Sequence, residues 1–458
     1  MKTMKNIATF ALFTVATGLF IINPAWAGIP IEHWTQASGA QVYLVPSPAI
    51  PMVDVQIDFD AGSRRDPPDQ AGLADVTAGM VSKGLRAGVG AQEPALDENA
   101  LGEAWADLGA SFTADASDDR MSFSLRSLTY PDLLGRSVQL AARQLAQPAF
   151  PADIWQREHG SLQSALKEAN TRPATVAGRA FAQAVYGTHP YGFEMTEATL
   201  ANIDVADMAA LYRQMVVPCR AKVSIVGAVN RPQADALVQQ LLGRLAAIQQ
   251  TGSATCAPLP AIAEVQPLVS ATEQHIAFDS AQAHVLIGQP GFKRDDPDYF
   301  ALTVGNYILG GGGFVSRLTH EVREKRGLSY SVFSGFAPGR HAGAFTVALQ
   351  TRPDQAEEAV RVAREVLSSF VAHGPTQAEL QAAKDNLVGG FPLLIDSNRK
   401  LLGNVANMAW NNLPLNYLDT WTQQVGKVTL ADIKSAFARK LQPDRMVTVV
   451  LGGTPASR

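Results

Sequence analysis

The chain has 458 residues, with 38 Lys and Arg against 42 Asp and Glu and 47% apolar side chains. Such a length implies more than one domain at about 100–200 residues each. The faintly acidic balance argues against nucleic-acid binding, which needs a basic surface, and the apolar share is that of a globular chain.

From the amino end, Lys2 and Lys5 precede an apolar run over residues 7–22, and Ala25-Trp26-Ala27 follows as a small-x-small cleavage pattern. Residues 1–27 therefore read as an export signal that is removed, the run being short for a membrane span of about 20 residues. No later stretch is apolar enough to cross a bilayer. The expected product is a soluble periplasmic protein without membrane contact after cleavage. Because the signal holds two lysines and no acid, the remaining 431 residues carry a net charge of −6.

The rest of the chain says the same thing twice. "VQIDFDAGSRRDPPDQAGLADVTAGMV" (residues 55–81) is echoed by "VLIGQPGFKRDDPDYFALTVGNYILG" (residues 285–310). Each is an alternating strand, a charged turn with Arg-Asp or Arg-Asp-Asp before Pro, and a helix rich in small residues. "VVPCRAKVSIVGAV" (216–229) and "LQPDRMVTVVLGG" (441–453) close the two halves as a loop, a proline, a basic residue and a short apolar strand ending in glycine. Between these landmarks "SFTADAS" and "RMSFSLRSL" alternate with period two, while "YPDLLGRSVQLAARQLAQ", "IWQREHGSLQSALKEAN" and "DQAEEAVRVAREVLSSFVAHG" have helical spacing. "QQTGSATCAPLPAIAE" (249–264) is the natural linker.

The expected fold is α+β, with two similar lobes at residues 28–248 and 265–458. Each is a mostly antiparallel sheet covered by helices, and the two face each other across a cavity. Cys219 and Cys256 either pair in an oxidising compartment or stand as separate thiols, because spacing alone does not give their Cα separation.

The stretch from Gly72 to Gly84 has the frame G-L-A-x-x-x-x-x-M-x-x-K-G. On this frame and the two-lobe repeat, the chain resembles the pitrilysin/insulinase family of inverted-motif zinc metallopeptidases, which includes the mitochondrial processing peptidase. The resemblance runs over essentially the whole mature length. In active members the helix carries H-x-x-E-H: two histidines bind zinc, the glutamate activates water, and a second glutamate downstream completes the site. Here Asp75 and Gly79 stand at the histidine positions and Ala78 at the glutamate. Counting back from Pro173 puts Ala165 at the downstream position, with Glu158 and Glu168 close by. A single aspartate does not hold catalytic zinc, and no two of the eight histidines are three to five residues apart, as a helical ligand pair requires. The expectation is a chain without its own metal or cofactor.

The stretch "NYILGGGGFVSRLTHEVREKRGLSYSVFSGF" (306–336) reads as a basic helix closed by Gly327 at its C-cap. An alternating strand is expected next, with Leu328, Tyr330 and Val332 on one face. Arg323 and Tyr330, seven residues apart, match the family's second-lobe pair, which the resemblance implies faces the zinc site. A tyrosine hydroxyl there stabilises charge developing on a peptide carbonyl oxygen, and an arginine fork anchors substrate carbonyls. Taken without the resemblance, the two are a solvated helix base and a sheet tyrosine. Gly310, Gly311, Gly312 and Gly313 follow a helix and lack the G-K-[ST] ending of a phosphate loop. They read either as a segment that touches substrate, as in the non-catalytic subunit of the processing peptidase, or as a plain flexible turn.

The resemblance thus implies the metal-free subunit of a heterodimeric zinc peptidase. A homologous H-x-x-E-H subunit would supply the zinc, and oligopeptides or unfolded segments would be the substrates. The alternative is a peptide-binding or scaffold protein of the same fold.

Overall fold

The computed structural model describes residues 28–88, 93–249 and 256–453. The export signal read at residues 1–27, and part of the linker, lie outside the described residues. The first lobe runs β1 (Glu32–Thr35), β2 (Gln41–Pro46), β3 (Met52–Phe59), α1 (Leu73–Met80), a ribbon of β4 (Gly84–Leu85) and β5 (Leu96–Asp97), α2 (Glu98–Asp107), β6 (Ser111–Ala116) and β7 (Met121–Leu128). It continues with α3 (Pro131–Ala146), α4 (Ala152–Ala169), α5 (Pro173–Tyr186), α6 (Glu197–Ala201), α7 (Val205–Met215), β8 (Lys222–Gly227) and α8 (Arg231–Gln249).

The second lobe runs β9 (Thr272–Ile276), β10 (Ala283–Pro290), α9 (Tyr299–Asn306), β11 (Ser331–Phe336), β12 (Ala344–Thr351) and α10 (Ala356–His373). After these come α11 (Gln377–Gly390), α12 (Asn398–Trp410), α13 (Tyr417–Lys427), α14 (Leu430–Lys440) and β13 (Val447–Leu451). Local chemistry starts several of these helices. Pro131 and Pro173 occupy first turns, where no N–H is needed. Asp204 with Asp207, and Thr429 with Asp432, form reciprocal capping boxes.

The repeat seen in the sequence is a repeat of topology. The first sheet has the order β1-β2-β8-β3-β7-β6, and the second the order β9-β13-β10-β12-β11, which matches β2-β8-β3-β7-β6 strand for strand. In both, the closing strand of the lobe (β8, β13) runs parallel to one neighbour and antiparallel to the other, and every remaining pairing is antiparallel. Each sheet buries alternate residues against its own helices. Phe59, Ile57, Phe123 and Leu125 anchor the first core, while Ile287, Phe345, Phe370 and Phe437 anchor the second.

The other face of each sheet is covered from across the molecule. Helix α5 belongs to the first lobe in sequence but packs Ala177, Phe181 and Val185 on Val447, Val449 and Leu451 of the second sheet. Helix α12 returns the arrangement, placing Leu402, Val405 and Ala409 on Tyr43, Val45 and Val226 of the first. Gly288 makes the α5 contact possible. A Cβ there would stand 2.7 Å from Cζ of Phe181 and press on the carbonyl of Phe345.

The linker stretch is without helix or strand from residue 256 to 271. It is tied to the first lobe by a disulfide between Cys219 and Cys256, whose Cα atoms are 5.8 Å apart, within the range the bond needs. Among the described residues no helix is long and apolar enough to cross a membrane.

Phe181 is 6% exposed, so Phe181→Ala should remove about 3–5 kcal/mol, the cost of truncating a buried aromatic. Urea unfolding followed by intrinsic fluorescence measures this. A loss below about 1 kcal/mol would show that α5 is not what holds the lobes together.

Candidate functional site

Helix α1 is wedged beside the edge strand β6, and its frame residues serve packing. Leu73, Ala74, Val76, Ala78 and Met80 belong to the first core. Gly72 sits at the N-cap with φ +103°, where a side chain would meet Met195. Asp66, 5% exposed, caps the helix by accepting the N–H groups of Gly72 at 2.9 Å and Ala74 at 3.0 Å. Burial nonetheless pushes its carboxyl up to about 7. Lys83 ties the far end of the frame to α2 and α4 through Glu98 at 2.7 Å and Glu158 at 3.2 Å.

The positions that would carry chemistry are distributed differently. Asp75 and Gly79 are exposed, and nothing lies within 4 Å of where a Cβ on Gly79 would stand. Ala78 is only 3% exposed. Ala165 is on an exposed face of α4. Both neighbouring glutamates are engaged, Glu158 with Lys83 and Arg157, Glu168 with Arg172. Of the four positions only Asp75 offers a donor, so this frame does not fit zinc. Among the described residues there is no group of three or more His, Cys, Asp and Glu able to hold a metal ion. His189 and His341 do meet across the seam, with ring centroids 5.0 Å apart, a pair invisible to any local spacing rule.

Asp75 instead stands in a field of like charge. Although its side chain reaches solvent, the protein packed around Asp75 thins the water about it, and this first, then Asp115 on β6, Asp118 in the β6–β7 turn and Glu194, pushes its carboxyl up to about 6. Asp118 is raised too, by burial and by Asp119.

The second-lobe pair comes together. The guanidinium carbon of Arg323 lies 4.7 Å from the ring centroid of Tyr330 and 4.7 Å from that of Phe314, so the cation is held against two aromatic rings. No carboxylate pairs with Arg323 among the described residues, which leaves its N–H fork uncommitted. The backbone beneath it is not the regular helix expected. Thr319–Glu324 forms a π turn, as does Tyr307–Gly311 before the glycines. Such turns re-aim side chains and often mark functional positions.

Gly327 does close the segment in the left-handed region, at φ +62°. The strand then starts at Ser331 rather than Leu328, and here the sequence expectation is corrected. Leu328 and Val332 are buried, at 7% and 5% exposed, whereas Tyr330 is 83% exposed. The left-handed turn and the bend after it break the period-two pattern before the ladder begins.

The glycine run divides as well. Gly310 is buried, where a Cβ would press on Ser334 and Leu318. Gly312 packs on Tyr307, and Gly311 and Gly313 are exposed. Gly310 therefore has a packing reason and is not a surface that substrate touches. The sequence reading missed the apolar surround: Phe314, Val315 and Phe333 are 70%, 73% and 53% exposed. Its signal was the Phe-Val pair directly after four glycines.

Comparison with known proteins agrees with this architecture. The model of the insulinase family (peptidase family M16) matches residues 41–199, and that of the peptidase M16 inactive domain matches residues 202–387. A solved peptidase M16 inactive domain from Pseudomonas fluorescens is 32% identical, with a TM-score of 0.85, covering 94% of this chain and 99% of that one. An uncharacterized zinc protease of Streptomyces coelicolor is 24% identical over 426 residues, 92% of this chain and 89% of its own length. The periplasmic protease PqqL of Escherichia coli shares the fold at 20% identity and a TM-score of 0.76, with 98% of this chain matching 49% of that one.

The Asp75 cluster predicts a pH-dependent stability. A carboxyl raised to about 6 in the folded protein starts near 3.9 in the unfolded chain, so the folded state binds the extra proton between these values. The cost of ionising Asp75 is absent below about pH 4 and complete above about pH 6. Asp75→Asn should therefore raise the thermal midpoint near neutral pH, with a gain that fades on acidification. A difference independent of pH would rule out charge as its origin.

Proposed function

The chain belongs to the insulinase family of M16 peptidases, and from that premise we propose that it is the metal-free subunit of a heterodimeric zinc peptidase in the periplasm. A homologous H-x-x-E-H subunit brings the metal and the general base. This chain brings Arg323 and Tyr330. The observation that carries the reading is their geometry: an exposed tyrosine and an unpaired arginine stacked at 4.7 Å, in a chain whose own zinc frame retains one donor of four.

Each group has a role that needs no metal in this chain. The Tyr330 hydroxyl, exposed and without an intramolecular partner among the described residues, can donate to an oxygen on which charge develops. A donor fixed before the reaction stabilises such charge without reorganisation. Arg323 is held against Phe314 and Tyr330, and its N–H donors, uncommitted to any carboxylate among the described residues, can bind backbone carbonyls of a peptide. The exposed Phe314, Val315 and Phe333 would receive apolar peptide side chains, and the unpaired edge of β11 can take an extended segment as an added strand. Oligopeptides and unfolded segments supply such strands, whereas folded proteins keep theirs paired.

Periplasmic placement is supported by the signal read in residues 1–27 and by the described fold, which it shares with a periplasmic protease. The same aromatic surface would also serve a peptide-binding protein without catalysis, so the experiment must separate the two.

The mature tagged protein is recovered gently from its native periplasm and assayed for cleavage of a quenched fluorescent peptide, with and without a zinc chelator. Chelator-sensitive cleavage with a co-eluting H-x-x-E-H chain is the expected result. A lone, inactive protein would leave peptide binding as the function. In the reconstituted complex, Tyr330→Phe keeps the ring that stacks on Arg323 and removes only the hydroxyl. It should lower kcat roughly 10²–10³-fold with little change in KM. An unchanged kcat would remove Tyr330 from the mechanism.

A further inference from the structure

The seam between the lobes holds a cavity of about 660 Å³, within the size range of small-molecule sites, which the proposed function does not use. Both lobes build its wall. The start of β8 and the turn before it come from the first lobe. The β11–β12 turn and the end of α12 come from the second, and residues 256–262 of the linker form the rim. Five cations line it, Arg64, Arg65, Arg220, Lys222 and Arg340, against one carboxylate, Asp60.

That carboxylate is already taken. Arg64 and Arg65 bind Asp60 at 2.6 and 2.7 Å. The other three cations have no carboxylate in ion-pair contact among the described residues. Arg220 donates to the carbonyls of Gln214 at 2.9 Å and Ala257 at 3.1 Å. Lys222 donates to the carbonyl of Ala409 at 2.7 Å, more weakly to that of Trp410 at 3.3 Å, and to Oδ1 of Asn412 at 2.6 Å. The Arg340 side chain makes one hydrogen bond among the described residues, to the carbonyl of Trp410 at 3.3 Å, and its fork is otherwise open.

Carbonyl oxygens satisfy donors but do not neutralise charge. The cost is visible at Lys222, which burial and then Arg340 hold down to about 8 despite the opposing pull of Asp58 and Asp60. Between the two lobes lies the indole of Trp410, 5.8 Å from Arg340 and 5.9 Å from Lys222. It is 7% exposed, and its ring N–H finds no acceptor among the described residues.

Net positive charge from both lobes, converging on one ligand-sized cavity, suits an anion with several oxygens. We propose that the seam cavity binds a small multivalent oxyanion, held by Arg220 and Lys222 of the first lobe and Arg340 of the second, and that the bound anion fastens the lobes together. Phosphate and carboxylate ligands share this chemistry, and pyrophosphate and citrate are the probes that separate them.

The purified full chain is titrated with each probe at matched ionic strength, against chloride, by thermal shift and calorimetry. A binder of the folded state raises the midpoint in a saturable way. Lys222→Gln and Arg340→Gln should each weaken binding at least about tenfold, the loss expected for one charge-assisted contact. Arg361→Gln, on the exposed face of α10, should leave it unchanged. Near pH 8, calorimetry with citrate, which is fully ionised there, in two buffers of different ionisation enthalpy should show proton uptake in the parent protein and none in Lys222→Gln, because the anion restores the lysine's proton. With pyrophosphate, whose own proton also moves, the uptake should be larger in the parent than in the variant. If a variant's own thermal midpoint shows that it is unfolded, Arg220→Gln at the rim takes its place. A shift equalled by chloride, or affinities unchanged in the folded variants, would overturn the proposal. Saturable binding by one probe only would assign the ligand class.

Discussion

Each sheet in this molecule has a face that its own lobe cannot cover, and the exchange of α5 and α12 solves that problem for both at once. A sheet exposed to water on an apolar face is unstable, so an element from elsewhere must pack on it. Here the element comes from the other half of the chain, and Phe181 on Val447, Val449 and Leu451 is the counterpart of Val405 on Tyr43, Val45 and Val226. Each visiting helix covers only the part of the sheet around β8 or β13. The strands farthest away, β6 and β11, keep free edges. Both candidate sites stand beside those edges: α1 with Asp75 next to β6, and Arg323 with Tyr330 next to β11. The exchange therefore fixes the rigid body and also decides which surfaces remain available.

Much of this was legible because it is local. Period-two alternation marked β6 and β7, helical spacing marked α3, α4 and α10, and the echo of residues 55–81 in 285–310 announced two lobes with one topology. What was not legible depends on partners distant in sequence. The pattern of α5 reads as an amphipathic helix whichever sheet receives it, so nothing in residues 173–186 says that the sheet belongs to the other lobe. The pairing of Cys219 with Cys256 and the meeting of His189 with His341 are of the same kind. The two π turns escaped because one extra residue in a helical turn leaves no mark in local spacing; at Gly310 the chain passes so near Ser334 that a Cβ would not fit. Tyr330 was assigned to a strand face by alternation, and the left-handed Gly327 cancelled that alternation before the ladder started.

The same distinction explains how a zinc-helix frame stands without zinc chemistry. Gly72, Leu73, Ala74, Met80 and Lys83 are held by packing, backbone geometry or ion pairs, so in this chain the fold gives each of them a reason. Asp75 and Gly79 carry no packing duty. The frame is therefore accounted for by folding, and the side chains between its fixed points are the ones that would carry the chemistry. Arg323 and Tyr330 present the opposite case. A tyrosine that is 83% exposed contributes little to the core, and an arginine stacked on exposed rings without a carboxylate gains little stability. Folding does not account for that pair, which is the physical ground for assigning it to a ligand.

The charges of the seam cavity follow the same logic. Every side-chain hydrogen bond that Arg220, Lys222 and Arg340 make among the described residues is to a carbonyl or amide oxygen, which a neutral donor can also serve. Stability alone would favour such a replacement, since like charges brought together with partial loss of water raise the energy of the folded state. The depression of Lys222 toward 8 records that cost within the structure. At the acidic cluster the cost has the opposite sign of charge: Arg64 pairs with Asp119 and Arg179 reaches Glu194, but Asp75 itself has no cation in ion-pair contact among the described residues. A fold that needed only to close its two lobes would place opposite charges across the seam. This one gathers cations there from both sides, and the missing half of the interaction has to come from outside the chain.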